Sequence, residues 1–144
     1  MVDTEKTIRA LSSAALFRGL NHRQLERFAQ RFVERTYDED EVIVGQGKGG
    51  EGLFIIVLGA AKAVREMPNG GSIQVNDFGS GDYFGELALL DDGPRTASVI
   101  TTEPTTCVVL TRWDFLGMLK KDAETAVAIL QELAKRFRAA LNAM

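Results

Sequence analysis

Hydrophobic spacing changes twice along this chain, and each change marks a shift of secondary structure. Near the N-terminus Leu25, Phe28, Ala29 and Phe32 follow the i, i+3, i+4, i+7 spacing of one buried helix face. Asn21 stands where an N-cap belongs, Gln24 follows three residues later, and Leu20 and Leu25 occupy hydrophobic-staple positions. Residues 7–17 carry a second, shorter helix, and Gly19 separates the two. Helix is therefore expected over residues 1–36.

From Tyr37 the period shortens. Short β-rich runs are expected at residues 41–44, 53–58, 61–67, 72–75, 96–101 and 105–110. Glycine-rich turns punctuate them: Gly45-Gln46-Gly47, Gly49-Gly50, Pro68-Asn69-Gly70-Gly71, Gly79-Ser80-Gly81 and Asp91-Asp92-Gly93-Pro94. Strands at this spacing point to a β-sandwich or barrel over residues 37–111. Pro68 to Gly71 caps a hairpin, beyond which Ile73 and Val75 alternate with Gln74 and Asn76.

Residues 112–144 return to helix. Thr111 is a cap with Asp114 at the third helical position. Ala123, Val127, Leu130, Ala134, Phe137 and Leu141 then follow alternating spacings of four and three, a heptad-like seam. Such a stripe packs on its own domain or on a second copy, and the first is the plainer expectation.

One segment carries chemistry. In Gly85-Glu86-Leu87-Ala88-Leu89-Leu90, the glycine permits a sharp bend and the residues after it can form one helical turn. The first N–H groups of such a turn lack internal partners and favour an anion. Arg95 follows after a turn, with a guanidinium suited to bidentate phosphate contact. Thr96 adds a hydroxyl and Ala97 a small residue that allows close approach. A glutamate nine residues from an arginine is by itself an ordinary ion pair. The glycine, the acid, the helical turn and the arginine together form a cradle for a phosphate and a hydroxyl.

Phe84-Gly85-Glu86-Leu87-Ala88-Leu89-Leu90 and Pro94-Arg95-Thr96-Ala97 resemble the phosphate-binding cassette of cyclic-nucleotide-binding domains. Those domains occur in catabolite-activator-type regulators, cyclic-nucleotide-dependent kinases and gated ion channels. Gly47, Leu53-Phe54-Ile55-Ile56 and Gly59 resemble the family's early strands. Leu16-Phe17 with Leu20 is similar to its helical entry, and Trp113-Asp114-Phe115 with Leu119 to its C-terminal helices.

The resemblance implies a mainly β fold with flanking helices, a double-stranded β-helix (jelly-roll) barrel of eight strands. N-terminal helices precede it and a C-terminal lid helix follows, in one domain over residues 1–144 with its cassette at 84–97. It also implies that Glu86 accepts a hydrogen bond from a ribose 2′-OH and that Arg95 pairs with the cyclic phosphate. Backbone N–H groups near Gly85, Leu87, Ala88 and Ala97 complete the cradle. The ligand implied is cAMP or cGMP. Thr96 matches a position where a hydroxyl accompanies either nucleotide, and cAMP is the expected one. Gln131, Lys135, Arg136 and Arg138 are candidates to cap the base.

Composition narrows the alternatives. A net charge of -3 argues against a nucleic-acid-wrapping surface, and no recognition helix follows the barrel within these residues. Output is therefore expected from a partner, reached as a homodimer or effector complex through the C-terminal helix. The single histidine, His22, lies in a predicted helix, so a two-histidine metal site cannot be built, and no catalytic cofactor is expected. Gly47-Lys48 is not followed by Ser or Thr, which removes a P-loop. No signal peptide or membrane-length apolar run is visible, and the lone Cys107 fits a reducing compartment, so a cytoplasmic protein is expected. The competing function is a barrel that has lost its ligand and serves protein–protein interaction.

Overall fold

The computed structural model describes residues 3–49 and 51–144, so Gly50 of the expected Gly49-Gly50 turn lies outside the described residues. Helices α1 (Thr4–Ser13) and α2 (His22–Ala29) open the chain, with a 3-10 turn at Ala15–Phe17 between them. Eight strands follow: β1 Val33–Tyr37, β2 Val42–Val44, β3 Gly52–Leu58, β4 Ala61–Glu66, β5 Ser72–Phe78, β6 Tyr83–Phe84, β7 Ser98–Thr101 and β8 Thr105–Thr111. A second 3-10 turn, Glu86–Leu89, interrupts them, and α3 (Arg112–Lys121) and α4 (Ala123–Asn142) close the chain.

The strands form two antiparallel sheets, ordered β1-β8-β3-β6 and β2-β7-β4-β5. This is the jelly-roll expected. Hydrogen bonding does not run unbroken around it as in a closed barrel, because each sheet keeps its own edges. The physical link between the layers is side-chain packing. Along β3, Phe54 and Ile56 turn into the core between the sheets, whereas Leu53 and Ile55 turn outward beneath the helices. Along β8, Cys107 and Val109 go inward, and Val108 and Leu110 go to the helices. The two-residue period of a strand thus splits one continuous apolar run between two cores.

The helix-side core is aromatic. Phe17, Phe28 and Phe115 are fully buried, and their ring centroids lie 5.3–5.8 Å apart. Pairs at this spacing add about 0.5–1.5 kcal/mol each beyond their buried area. Between the sheets Phe54 stacks on Phe84 at 5.1 Å with rings nearly parallel. That contact anchors the chain immediately before Gly85.

The helix caps match expectation. Asn21 and Gln24 form the reciprocal capping box, and the Thr111 hydroxyl accepts from the Asp114 amide at 3.2 Å. The hairpin also matches: the Met67 amide donates to the Gly71 carbonyl at 2.7 Å, across the turn joining β4 to β5.

Several boundaries differ. The first helix spans Thr4–Ser13, and a 3-10 turn carries the chain through Phe17, instead of one helix over residues 7–17. The second helix stops at Ala29 and strand begins at Val33, inside the stretch expected to be helical. Phe32 still reaches the core, because the amides of Arg31 and Phe32 bond back to Phe28 and Ala29 and tighten the exit turn. β1 is an edge strand whose Glu34, Arg35 and Thr36 break the apolar pattern, and pairing with β8 is what makes it a strand. The strand expected at 96–101 begins at Ser98. β6 has only two residues and rests on its pairing with Phe54 and Ile55.

The seam on the last helix faces the other way from the plainer expectation. Thr125 and Ile129 are the buried residues of α4, whereas Val127, Leu130, Phe137 and Leu141 are about half or more exposed. Every residue from 134 to 144 is exposed. Two apolar stripes share this helix, and only the one through Ile129 meets the domain.

Candidate functional site

Arg95 is held by backbone on two sides. The Gly47 amide donates to its carbonyl at 2.8 Å, its own amide donates to the Lys48 carbonyl at 2.9 Å, and Pro94 bridges to Gly49. The β2–β3 loop therefore runs alongside and fixes where the side chain begins. Its guanidinium then turns inward, with Nη2 donating to the Gly52 carbonyl at 3.0 Å. Nε is buried without a hydrogen-bond partner among the described residues. Burial pushes the guanidinium below its usual range, while the Glu51 carboxylate acts in the opposite sense. A partly buried cation with a buried, unsatisfied donor carries a desolvation cost that an anionic partner offsets.

Gly85 makes room for this side chain. It has φ of 86°, the left-handed region, and a Cβ built there would lie 2.5 Å from Arg95 Nη1 and would overlap the Gly52 carbonyl. The same glycine opens the 3-10 turn that carries Glu86. The expected helical turn is thus present, in its tighter 3-10 form.

Glu86 is already engaged. Its Oε2 accepts from the Leu16 amide at 2.8 Å and its Oε1 accepts from Arg136 Nη1 at 3.0 Å. The carboxylate is 10% exposed. Three distant segments thus meet on one side chain: the N-terminal 3-10 turn, the cassette, and α4. Arg136, one of the four candidates to cap the base, here pairs with this carboxylate. No sequence signal could link Leu16 to Glu86 across 70 residues, since a backbone amide has no identity in the sequence.

The remaining expected residues fall into different places. Leu87 is exposed, and Ala88 is buried with its amide donating to the Gly85 carbonyl at 3.0 Å. That amide serves the turn. Ala97 packs against the core between the sheets. Thr96 is exposed, and its carbonyl accepts from Arg65 Nε at 3.2 Å. Arg65, on β4, is a second guanidinium beside the cassette that sequence reasoning missed, because nothing in its own strand marks it.

This arrangement offers a partly buried cation, a carboxylate acceptor and a close-approaching glycine backbone. It can recognise an anion next to a hydroxyl. Among the described residues no group of three or more His, Cys, Asp or Glu side chains could hold a metal ion.

A sequence profile of the cyclic nucleotide-binding domain matches residues 34–122, well over half of the chain. The chain belongs to the cyclic nucleotide-binding domain family. It is 30% identical over 130 residues to a cyclic AMP receptor protein of Thermus thermophilus, covering 90% of this chain and 60% of that one. It is 32% identical over 129 residues to a cAMP-dependent protein kinase regulatory subunit of Mucor circinelloides, covering 85% of this chain and 30% of the relative. The solved N-terminal domain of a transcriptional regulator from Streptomyces coelicolor superimposes with a TM-score of 0.86 at 28% identity, over 94% of both chains. This chain thus spans at most about three fifths of these two relatives. Among its described residues no helix is long and apolar enough to cross a membrane.

Within this cyclic nucleotide-binding domain, the Phe54–Phe84 stack, Gly85 and the β2–β3 loop are the parts that set the cassette's shape. The helices reach the cassette through Glu86, by the hydrogen bonds from Leu16 and Arg136, through Leu89 in the helix-side core, and through the Arg112–Asp92 ion pair at 3.4 Å.

Proposed function

We propose that this domain binds cAMP as a sensor, with Arg95 on the cyclic phosphate and Glu86 on the ribose 2′-OH. The observation that carries this reading is the partly buried Arg95 guanidinium, whose buried Nε lacks a partner and whose Nη1 and Nη2 occupy the room left by Gly85. The names of both similar relatives refer to cyclic AMP, which supports cAMP over cGMP. Gly85, Leu87 and Ala97 offer backbone beside the phosphate, and Thr96 a hydroxyl. The domain acts by binding, without catalysis, in the cytoplasm.

Binding becomes a signal through competition for Glu86. A ribose hydroxyl that donates to this carboxylate takes an acceptor oxygen from Leu16 or Arg136, and α4 then moves as a unit about its short buried stripe. Its exposed seam of Val127, Leu130, Phe137 and Leu141 supports a homodimer, since an apolar stripe at heptad-like spacing matches itself across a two-fold axis. Leu130→Glu with Phe137→Glu is expected to convert a dimer to a monomer in sedimentation while leaving cAMP affinity within about threefold. A wild-type chain that sediments as a monomer at all concentrations removes the dimer.

The sugar contact has its own test. Wild type is expected to bind 2′-deoxy-cAMP about ten times more weakly than cAMP, the loss of one hydrogen bond to a charged group. Glu86→Ala is expected to bind the two nucleotides equally, because both changes delete one shared interaction. Independent, additive penalties in calorimetric titration would assign Glu86 to the Leu16–Arg136 linkage alone.

A further inference from the structure

A groove of about 340 Å³ lies between α1 and the turn joining β5 to β6, and none of the cassette residues lines it. Its volume falls within the roughly 300–1,000 Å³ range of small-molecule sites. The groove exists because its walls are small: Thr7 and Ala10 on the helix face Ser80 and Gly81 on the turn. Its floor is Ile55 and Val57 of β3, whose side chains face the helices. Helix α1 buries Thr7, Ile8, Ala10 and Leu11, and the groove lies at the edge of that buried face, where Lys6 and Arg9 come to the surface.

The polar groups of the walls are mostly spent. The Thr7 hydroxyl donates to the Asp3 carbonyl at 2.9 Å, and the Ser13 hydroxyl to the Ala10 carbonyl at 2.7 Å. The Ser80 hydroxyl donates to the Val57 carbonyl at 2.5 Å. Asp3, the one acid lining the groove, accepts from the Lys6 amide as the cap of α1. Beside the Asp3 carboxylate the rim carries two cations, Lys6 and Arg9, three residues apart on one helix and exposed. Neither has an ion-pair partner among the described residues.

We propose that this groove binds an amphipathic carboxylate, its hydrocarbon body over Ile55 and Val57 and its head between Lys6 and Arg9. A hydroxyl-rich ligand would find few free donors or acceptors on these walls. A single anionic head with an apolar body uses both features present, and ammonium and guanidinium side chains each form charge-assisted bonds to a carboxylate. This site is independent of the cyclic-nucleotide reading, and its test does not use nucleotide.

The test is titration of the full, isotopically labelled chain with decanoate, and in parallel with decan-1-ol, followed by NMR. Saturable shifts are expected at Thr7, Ala10, Val57 and Gly81, with decanoate at least tenfold tighter than the alcohol. Lys6→Glu with Arg9→Glu is expected to weaken decanoate at least tenfold with an unchanged thermal midpoint. Ala10→Phe, which fills the groove, is expected to abolish the shifts. Because a bulky residue at this buried position can disturb folding, the surface pair decides. Shifts confined to the exposed seam of α4, equal affinity for acid and alcohol, or full decanoate affinity in the charge-reversed variant would each overturn the proposal.

Discussion

Arg95→Ala is expected to weaken cAMP binding by at least tenfold while leaving the fold intact. The bound phosphate loses a charge-assisted partner worth about 1.5–3 kcal/mol, which is roughly one to two decades in affinity. The fold is spared because the guanidinium is a burden on it. The group is partly buried, holds one carbonyl through Nη2 and leaves its buried Nε unsatisfied. Removing it also removes that desolvation cost. Thermal unfolding without ligand is therefore expected at or above the wild-type midpoint, and calorimetric titration reads the affinity. Arg95→Lys is not expected to rescue, because an ammonium cannot hold the Gly52 carbonyl and a phosphate through one planar fork. Unchanged cAMP affinity in folded Arg95→Ala would remove this side chain from the site.

Gly85→Val is expected to have the opposite signature, losing both stability and cAMP binding. A side chain at φ of 86° is strained by about 1–2 kcal/mol, and forcing carbon into packed space costs about 1–3 kcal/mol more. The atoms it meets are the Gly52 carbonyl and the Arg95 guanidinium, so the backbone and the phosphate contact are displaced together. A fall of more than about 5 °C in thermal midpoint follows for a chain of this size. Gly70→Ala is the control. Gly70 has a similar φ of 92° with nothing within 4 Å of the added carbon, so only the backbone strain remains. Equal losses from the two substitutions would mean that Gly85 matters for its backbone angle and not for the space it leaves to Arg95.

How much of this was legible in the sequence depended on how local each signal is. The Asn21–Gln24 capping box, the Thr111 cap and the Pro68–Gly71 hairpin were readable because neighbouring residues make them. The apolar runs of β3 and β8 were readable because each strand is covered on both faces. β1 was not, since three of its residues are polar and partner β8 lies some seventy residues away. The direction of the α4 seam was also hidden. Periodicity locates a stripe on a helix, but two stripes compete here, and the one with fewer large residues, Thr125 and Ile129, meets the core.

The sequence by itself determined the class of fold, the order of most of its elements and the family, and it named Gly85, Glu86 and Arg95 as the candidate site. Those features rest on local spacing and on a contiguous motif, which any chain carries in its order of residues. Tertiary structure alone decided what each cassette side chain touches. It turned Arg95 into a partly buried cation against the Gly52 carbonyl, and brought the Leu16 amide and Arg136 from opposite ends of the chain onto Glu86. It also exposed the α4 seam and left the groove beneath α1. The physical reason is common to all of these. Contacts between segments 40 to 70 residues apart depend on how the sheets and helices pack, and packing is a property of the assembled layers that no local spacing encodes.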